Sequence, residues 1–175
     1  MTVNPMFVHR HTGPGLAVIA LGGVLMLAYG LYLQHAVGLE PCPMCIVQRY
    51  AWVLITVVAG VASLSPSRWR GGMLLLLGVL ALMGAGVAAR QSWLQWFPPE
   101  IMSCGRDLFG MIEAFPLQRV IPMLLKGSGD CSAVDWTFLG LTIANWSFLC
   151  FVAVAAVAGA MLWARHQAQT RWGFS

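Results

Sequence analysis

Four apolar runs, each close to twenty residues long, restrict what this chain can fold into more than any other feature it has. They cover roughly residues 16–33, 45–64, 71–89 and 141–164. A helix rising ~1.5 Å per residue needs about 20 apolar residues to cross a hydrocarbon layer. In lipid every backbone N–H and C=O must be satisfied within the protein, which leaves helices or closed barrels, and these runs lack the alternation of a barrel strand. The composition agrees. Of 175 residues, 59% are hydrophobic and 9% charged, against about 25% charged in a typical soluble domain. The expected fold is an all-α membrane protein, a four-transmembrane-helix bundle forming one membrane domain over residues 1–175. The first run reads as a retained helix rather than a cleaved signal, because it is long for a signal's apolar core and three more spans follow.

Charge sets the expected orientation. With four spans, both termini share a side with the short loop 65–70. That side carries Arg10, Arg68, Arg70, Arg165 and Arg171 and no acid. Glu40, Glu100, Asp107, Glu113, Asp130 and Asp135 all fall on the other side, beside five bases. The base count is tied, but Arg49 and Arg90 sit at helix mouths, and Arg106, Arg119 and Lys126 belong to a long loop. Basic density near the span ends therefore puts the termini and loop 65–70 in the cytoplasm. Loops of about 34–44 and 90–140 then face outward. The net charge of +4 is a topology signal. Nucleic-acid binding would need a basic cluster with exposed aromatics on a polar fold, and the chain has none. Trp52, Trp93, Trp96, Trp136, Trp146 and Trp163 fall near expected span ends and read as interfacial anchors. Within the long loop, "DLFGMIEAF" and "LQRVIPMLL" suit either short amphipathic helices on the bilayer or a loop packed on helix ends.

The five cysteines are distributed unevenly. Cys42 and Cys45 lie at the start of the second span, Cys104 and Cys131 in the long outer loop, and Cys150 within the fourth span. The first four face the compartment where disulfides persist; Cys150 reads as a small buried hydrophobe. Four cysteines allow three connectivities, which sequence does not decide; Cys42–Cys45 with Cys104–Cys131 is the natural first guess. A bond between residues three apart closes too small a loop to be a useful staple, so the spacing points to redox chemistry or metal. A four-thiolate zinc site is the weaker alternative, since structural zinc favours short-spaced ligand pairs and Cys104 and Cys131 are 27 residues apart. No metal is expected.

"EPCPMCIVQRY" adds a cation to the pair. Pro43 suits the first turn of a helix, which places Cys45 in the first turn of the second span, at the positive end of the helix dipole. Arg49 follows four residues later on the same face. Both favour a thiolate at Cys45. Arg49 on its own would read as a side chain snorkelling to headgroups; beside the cysteine pair it reads as a functional cation. The chain has no haem, flavin, nicotinamide or iron–sulfur motif. A dithiol at the membrane boundary can instead meet a lipid-soluble acceptor, and a quinone fits.

These residues resemble the disulfide bond formation protein B (DsbB) family of bacterial inner-membrane thiol oxidases. The resemblance covers most of the chain: four spans, "PCPMCIVQR" at the second, "LQWFPPEIMSC" entering the long loop and "GSGDCSAVDWTFLGL" leaving it. It implies a protein disulfide:quinone oxidoreductase of the inner membrane, with its active cysteines on the periplasmic face. The expected partner is the periplasmic oxidase DsbA or a relative, and the cofactor is ubiquinone, or menaquinone. Cys104 and Cys131 match the loop disulfide, with Cys104 forming the mixed disulfide. Cys131 then attacks Cys42, freeing Cys45 against the quinone, and Arg49 matches the arginine beside its ring. Some members carry a histidine where this chain has Gln91, which can donate a hydrogen bond but cannot carry charge. Gln48 likewise stands where some members have an acid. Two alternatives remain: a disulfide-held membrane scaffold, and the vitamin K epoxide reductase group. In the latter the loop pair precedes the membrane Cys-X-X-Cys, the reverse of the order here.

Overall fold

The computed structural model describes residues 5–39, 41–97, 134 and 136–172. Cys104, Cys131, both amphipathic stretches of the long loop and all six acidic residues lie outside the described residues. Four long helices dominate: α1 Pro5–His35, α2 Pro43–Leu64, α3 Ser67–Trp96 and α4 Ile143–Trp172. A two-residue hairpin, β1 Thr137–Phe138 and β2 Leu141–Thr142, precedes α4. Each helix is long and apolar enough to cross a membrane, so the chain is a multi-pass, four-helix membrane protein. All four helices extend beyond the apolar runs. Hydrogen bonding inside a helix continues regardless of whether its flank is polar, so helix ends and hydrocarbon boundaries need not coincide. One consequence is that α3 carries Gln91 into a helix, not into the loop expected to start at residue 90.

The helices pack in chain order, α1 on α2, α2 on α3 and α3 on α4, with only sparse contact between α1 and α4. The buried seam of α2 runs Gln48, Trp52, Ile55, Ala59, Ala62, and that of α3 runs Leu74, Leu77, Ala81, Ala85, Ala88, Gln91. These steps of three and four put each seam on one helix face. Alanines fill the middle, while Leu21, Leu25, Leu75, Leu82 and Met83 point outward. Lipid tails are as apolar as leucine, so association in a bilayer rewards close backbone approach rather than burial of large side chains. Gly84 shows the limit: a Cβ there would sit 2.5–2.8 Å from the Phe151 ring of α4. Phe151 in turn stacks on Trp52, with centroids 4.6 Å apart.

Two ends of the bundle differ in chemistry. At one, Arg70 donates to Ser65 O (2.9 Å) and Ser63 O (3.2 Å), and Arg165 of α4 donates to Ser67 O (2.8 Å). These arginines satisfy carbonyls around the α2–α3 turn. The cysteine pair lies at the other end. There the hairpin turns through Leu139 (φ 53°) and Gly140 (φ 77°). Positive φ at both central residues matches the twist of a two-residue hairpin. Thr142 then accepts from Asn145 N–H at the start of α4 and donates to Gln95 Oε1 of α3 (2.7 Å).

Candidate active site

Cys42 is the N-cap of α2, with extended backbone (φ −74°, ψ 161°), and Pro43 opens the helix. The Cys42 sulfur accepts the Cys45 N–H at 3.2 Å, doing the capping work that an oxygen usually does. The two sulfurs stand 2.7 Å apart, so a sub-ångström approach brings them to the ~2.05 Å of a disulfide. Cys42 is buried and Cys45 partly exposed. The sequence placed Cys45 in the first helical turn, and it is there.

Arg49 lies one turn further along α2. Its guanidinium donates to Gln34 Oε1 at 2.5 Å and to Gly30 O at 3.4 Å, both on α1. These acceptors orient the group without neutralising it. Gln34 was not among the sequence candidates, because nothing in the chain order says which residue of α1 faces Arg49.

Gln91 is buried and reaches the sulfurs directly. Its Nε2 lies 3.4 Å from Cys42 Sγ and 3.2 Å from Cys45 Sγ, while its Oε1 accepts from Gln48 Nε2 at 2.6 Å. Gln48 is also buried. Sequence reasoning noted Gln48 for the charge it lacks and missed that it occupies a seam position, four residues before Trp52.

Two cavities meet at this point. The larger, about 340 Å³, lies along the sparse α1–α4 seam and is walled by Cys45, Gln48, Arg49, Trp52, Trp136 and Trp146, among others. The smaller, about 100 Å³, is bordered by Cys42, Cys45, Arg49 and Gln91, together with Leu39, Pro41 and Val134 near the chain's turns. Cys45 and Arg49 border both. Gln91, expected beside a cofactor, borders only the smaller cavity. Trp52, Trp136 and Trp146 wall the larger cavity, whereas Trp93, Trp96 and Trp163 are exposed as interfacial anchors would be. Trp52 is buried because its seam position turns it inward, and its Nε1 has no hydrogen-bond partner among the described residues. Cys150 also lines the larger cavity, a placement that its reading as a buried hydrophobe did not include.

Comparison with known proteins adds a family to this geometry. Residues 14–161 match the family model described as Disulfide bond formation protein DsbB. The chain is 66% identical over 146 residues to Disulfide bond formation protein B of a Polaromonas species, covering 81% of this chain and 85% of that one. It is 59% identical over 164 residues to the protein of the same name from Paracidovorax citrulli, covering 91% of each. The same name belongs to an Azoarcus protein, 56% identical over 155 residues, 86% of this chain and 92% of that one.

Proposed function

The chain belongs to the disulfide bond formation protein B family, and from that premise we propose that it is a protein disulfide:quinone oxidoreductase. It takes two electrons from a reduced periplasmic thiol oxidase, DsbA or a relative, and delivers them to a membrane quinone, ubiquinone or menaquinone. The observation that carries this reading is the pair of cavities sharing Cys45 and Arg49.

The larger cavity suits a flat, apolar ring. Its volume falls in the usual ~300–1,000 Å³ range of ligand pockets, with mostly aromatic and aliphatic walls. Arg49 supplies donors for ring oxygens, the kind of sparse polar contact that fixes orientation in such a site. A bound quinone supplies the capacity to accept two electrons and two protons. Of the Cys42–Cys45 pair, Cys45 borders this cavity and would hold the electron pair facing it, and Arg49 would stabilise negative charge on that side.

The smaller cavity faces the loops. Leu39, Pro41 and Val134 border it. In the proposed relay, reduced partner attacks Cys104 of the Cys104–Cys131 disulfide, forming a mixed disulfide and releasing the Cys131 thiolate. The partner's second thiol resolves that bond and leaves oxidised. Cys131 attacks Cys42 of the Cys42–Cys45 disulfide, and Cys45 leaves as thiolate. Cys104 then displaces Cys42, restoring the loop disulfide and leaving Cys42 and Cys45 reduced. DsbA is a strong oxidant at about −120 mV, and each ~30 mV of uphill transfer costs about 1.4 kcal/mol. Removal of electrons from Cys42 and Cys45 drives the cycle.

The sidedness belongs to the same proposal: termini in the cytoplasm, four cysteines on the periplasmic face of a bacterial inner membrane. The direct test mixes purified protein, reduced partner and a short-chain ubiquinone, and follows loss of quinone absorbance. Partner oxidation without quinone reduction would overturn the reading. Labelling of both cysteine pairs only from the cytoplasmic side, with an impermeant maleimide, would overturn the orientation.

A further inference from the structure

Two buried glutamines from different helices touch where the sulfurs lie. Gln48 of α2 is 4% exposed and Gln91 of α3 is 3% exposed. The direction of their hydrogen bonds follows from what sulfur can do. A thiolate or a disulfide accepts and cannot donate, so Gln91 presents its NH₂ to Cys42 and Cys45 and turns its oxygen away. That oxygen is then an acceptor in a buried seam, and Gln48 Nε2 meets it at 2.6 Å. The chain of donors runs Gln48 to Gln91 to sulfur, each bond polarising the next.

We infer that Gln91 is a catalytic residue acting on both sulfurs of the pair, and that Gln48 is the positioning residue that aims it. This deepens the proposed function, resting on the Cys42–Cys45 pair being the one that cycles. In the oxidised state the Gln91 amide touches two weak acceptors. On reduction one sulfur becomes an anion, and the same N–H groups become charge-assisted donors already in place, needing no reorientation. The clasp therefore favours the reduced, thiolate state of Cys45 without introducing a charge. Among the described residues that face the pair, the charged or titratable ones are Arg49 on α2, Tyr29 on α1 and Cys150 on α4. Arg49 adds positive charge from one side, and the clasp adds neutral donors from α3.

The test is site-resolved alkylation of Cys45 by iodoacetamide across pH, on fully reduced, full-length protein in detergent without quinone or partner. Gln91→Met, similar in size but without an amide, is expected to raise the midpoint by about one pH unit, equal to about 1.4 kcal/mol. Gln48→Met is expected to raise it part of the way. The double variant should match Gln91→Met alone, because Gln48 acts through Gln91; a merely structural pair would not show this. Gln91→His, which keeps a ring N–H, should hold the midpoint within a few tenths. Far-ultraviolet circular dichroism checks folding, and if Gln91→Met does not fold, Gln48→Met and Gln91→His carry the test. An unmoved midpoint in Gln91→Met or in Gln48→Met, or shifts that add in the double variant, would overturn the inference. Quinone reduction by the unaltered protein is measured separately, so failure of the functional reading and failure of the clasp give different results.

Discussion

Replacing Arg49 with methionine removes a guanidinium and keeps most of its stem, so it isolates the charge. Two effects follow from where that guanidinium sits. Cys45 is four residues earlier on the same helix face, with about 6 Å between Cβ atoms. Opposite unit charges ~6 Å apart attract by about 3 kcal/mol at an effective dielectric of ~20. Arg49 is only half-buried, and solvent screening lowers this toward ~1 kcal/mol. The second effect is the hydrogen bond proposed between Arg49 and a quinone oxygen in the larger cavity, worth about 1.5–3 kcal/mol for a charged donor. One guanidinium serves both, so the two do not simply add. Loss of that hydrogen bond alone predicts a fall of about 10- to 150-fold in kcat/KM for a short-chain quinone, at ~1.4 kcal/mol per decade. Formation of the mixed disulfide with the partner should change by less than about threefold, since the guanidinium is held on α1 by Gln34 and Gly30 and in the proposed cycle acts only in the quinone half. Arg49→Lys should fall between, keeping the charge but losing the planar fork that engages two acceptors at once. The assay is steady-state quinone reduction at saturating reduced partner, paired with rapid acid quenching to trap the mixed disulfide. An unchanged kcat/KM, or an equal loss in both steps, would refute the role given to this cation.

Three further outcomes are expected. Cys104→Ser should abolish the covalent complex with reduced partner on a non-reducing gel; a persisting complex would move the attack to another cysteine. Trp52→Phe keeps an aromatic ring against Phe151 but trims the indole wall of the larger cavity, so KM for quinone should rise about 2- to 10-fold, the worth of roughly 20–50 Å² of lost apolar contact; an unchanged KM would show that this wall does not contact the quinone. Gly84→Val forces methyl groups into the Phe151 ring, an overpacking that costs about 1–3 kcal/mol. Its unfolding midpoint should drop relative to Gly86→Val, where a Cβ meets nothing within 4 Å, and equal midpoints would contradict the close packing of α3 on α4.

The four spans were legible because lipid imposes its demand on composition, residue by residue, before any tertiary contact forms. The first turn of α2 was equally plain, since Cys42, Pro43 and Cys45 act through local backbone geometry. What escaped the sequence depends on which helix faces which. Gln34 holds Arg49 through a contact between α1 and α2 that no spacing encodes. The hairpin before α4 was hidden by Leu139, an unusual residue to adopt positive φ. Gln48 and Trp52 were within reach: counting back from Ala59 in steps of four, three and four gives Ile55, Trp52 and Gln48. Followed to its end, that seam would have turned both side chains inward. Trp52 was instead read by its distance from the span's start, as an interfacial anchor.

The same seams explain why a reactive site can exist at one end of a small bundle. Alanines at 59, 62, 81, 85 and 88 let α2 and α3 approach closely. At the cysteine end the seam positions change to Gln48 and Gln91, and a buried amide in that setting is costly unless it is paired. The pair satisfies itself and the sulfurs together. Between α1 and α4 contact is sparse, and the bulky Trp52–Phe151 stack stands beside the gap, so the larger cavity is a product of unequal helix packing. The smaller cavity arises where the chain turns out of the bundle, at Leu39, Pro41 and Val134. Cys45 borders both because it lies one turn inside a helix whose cap is the other cysteine. In the proposed cycle a thiol from the aqueous side uses the smaller cavity and an oxidant from lipid the larger, and Cys45 is the cysteine that borders both.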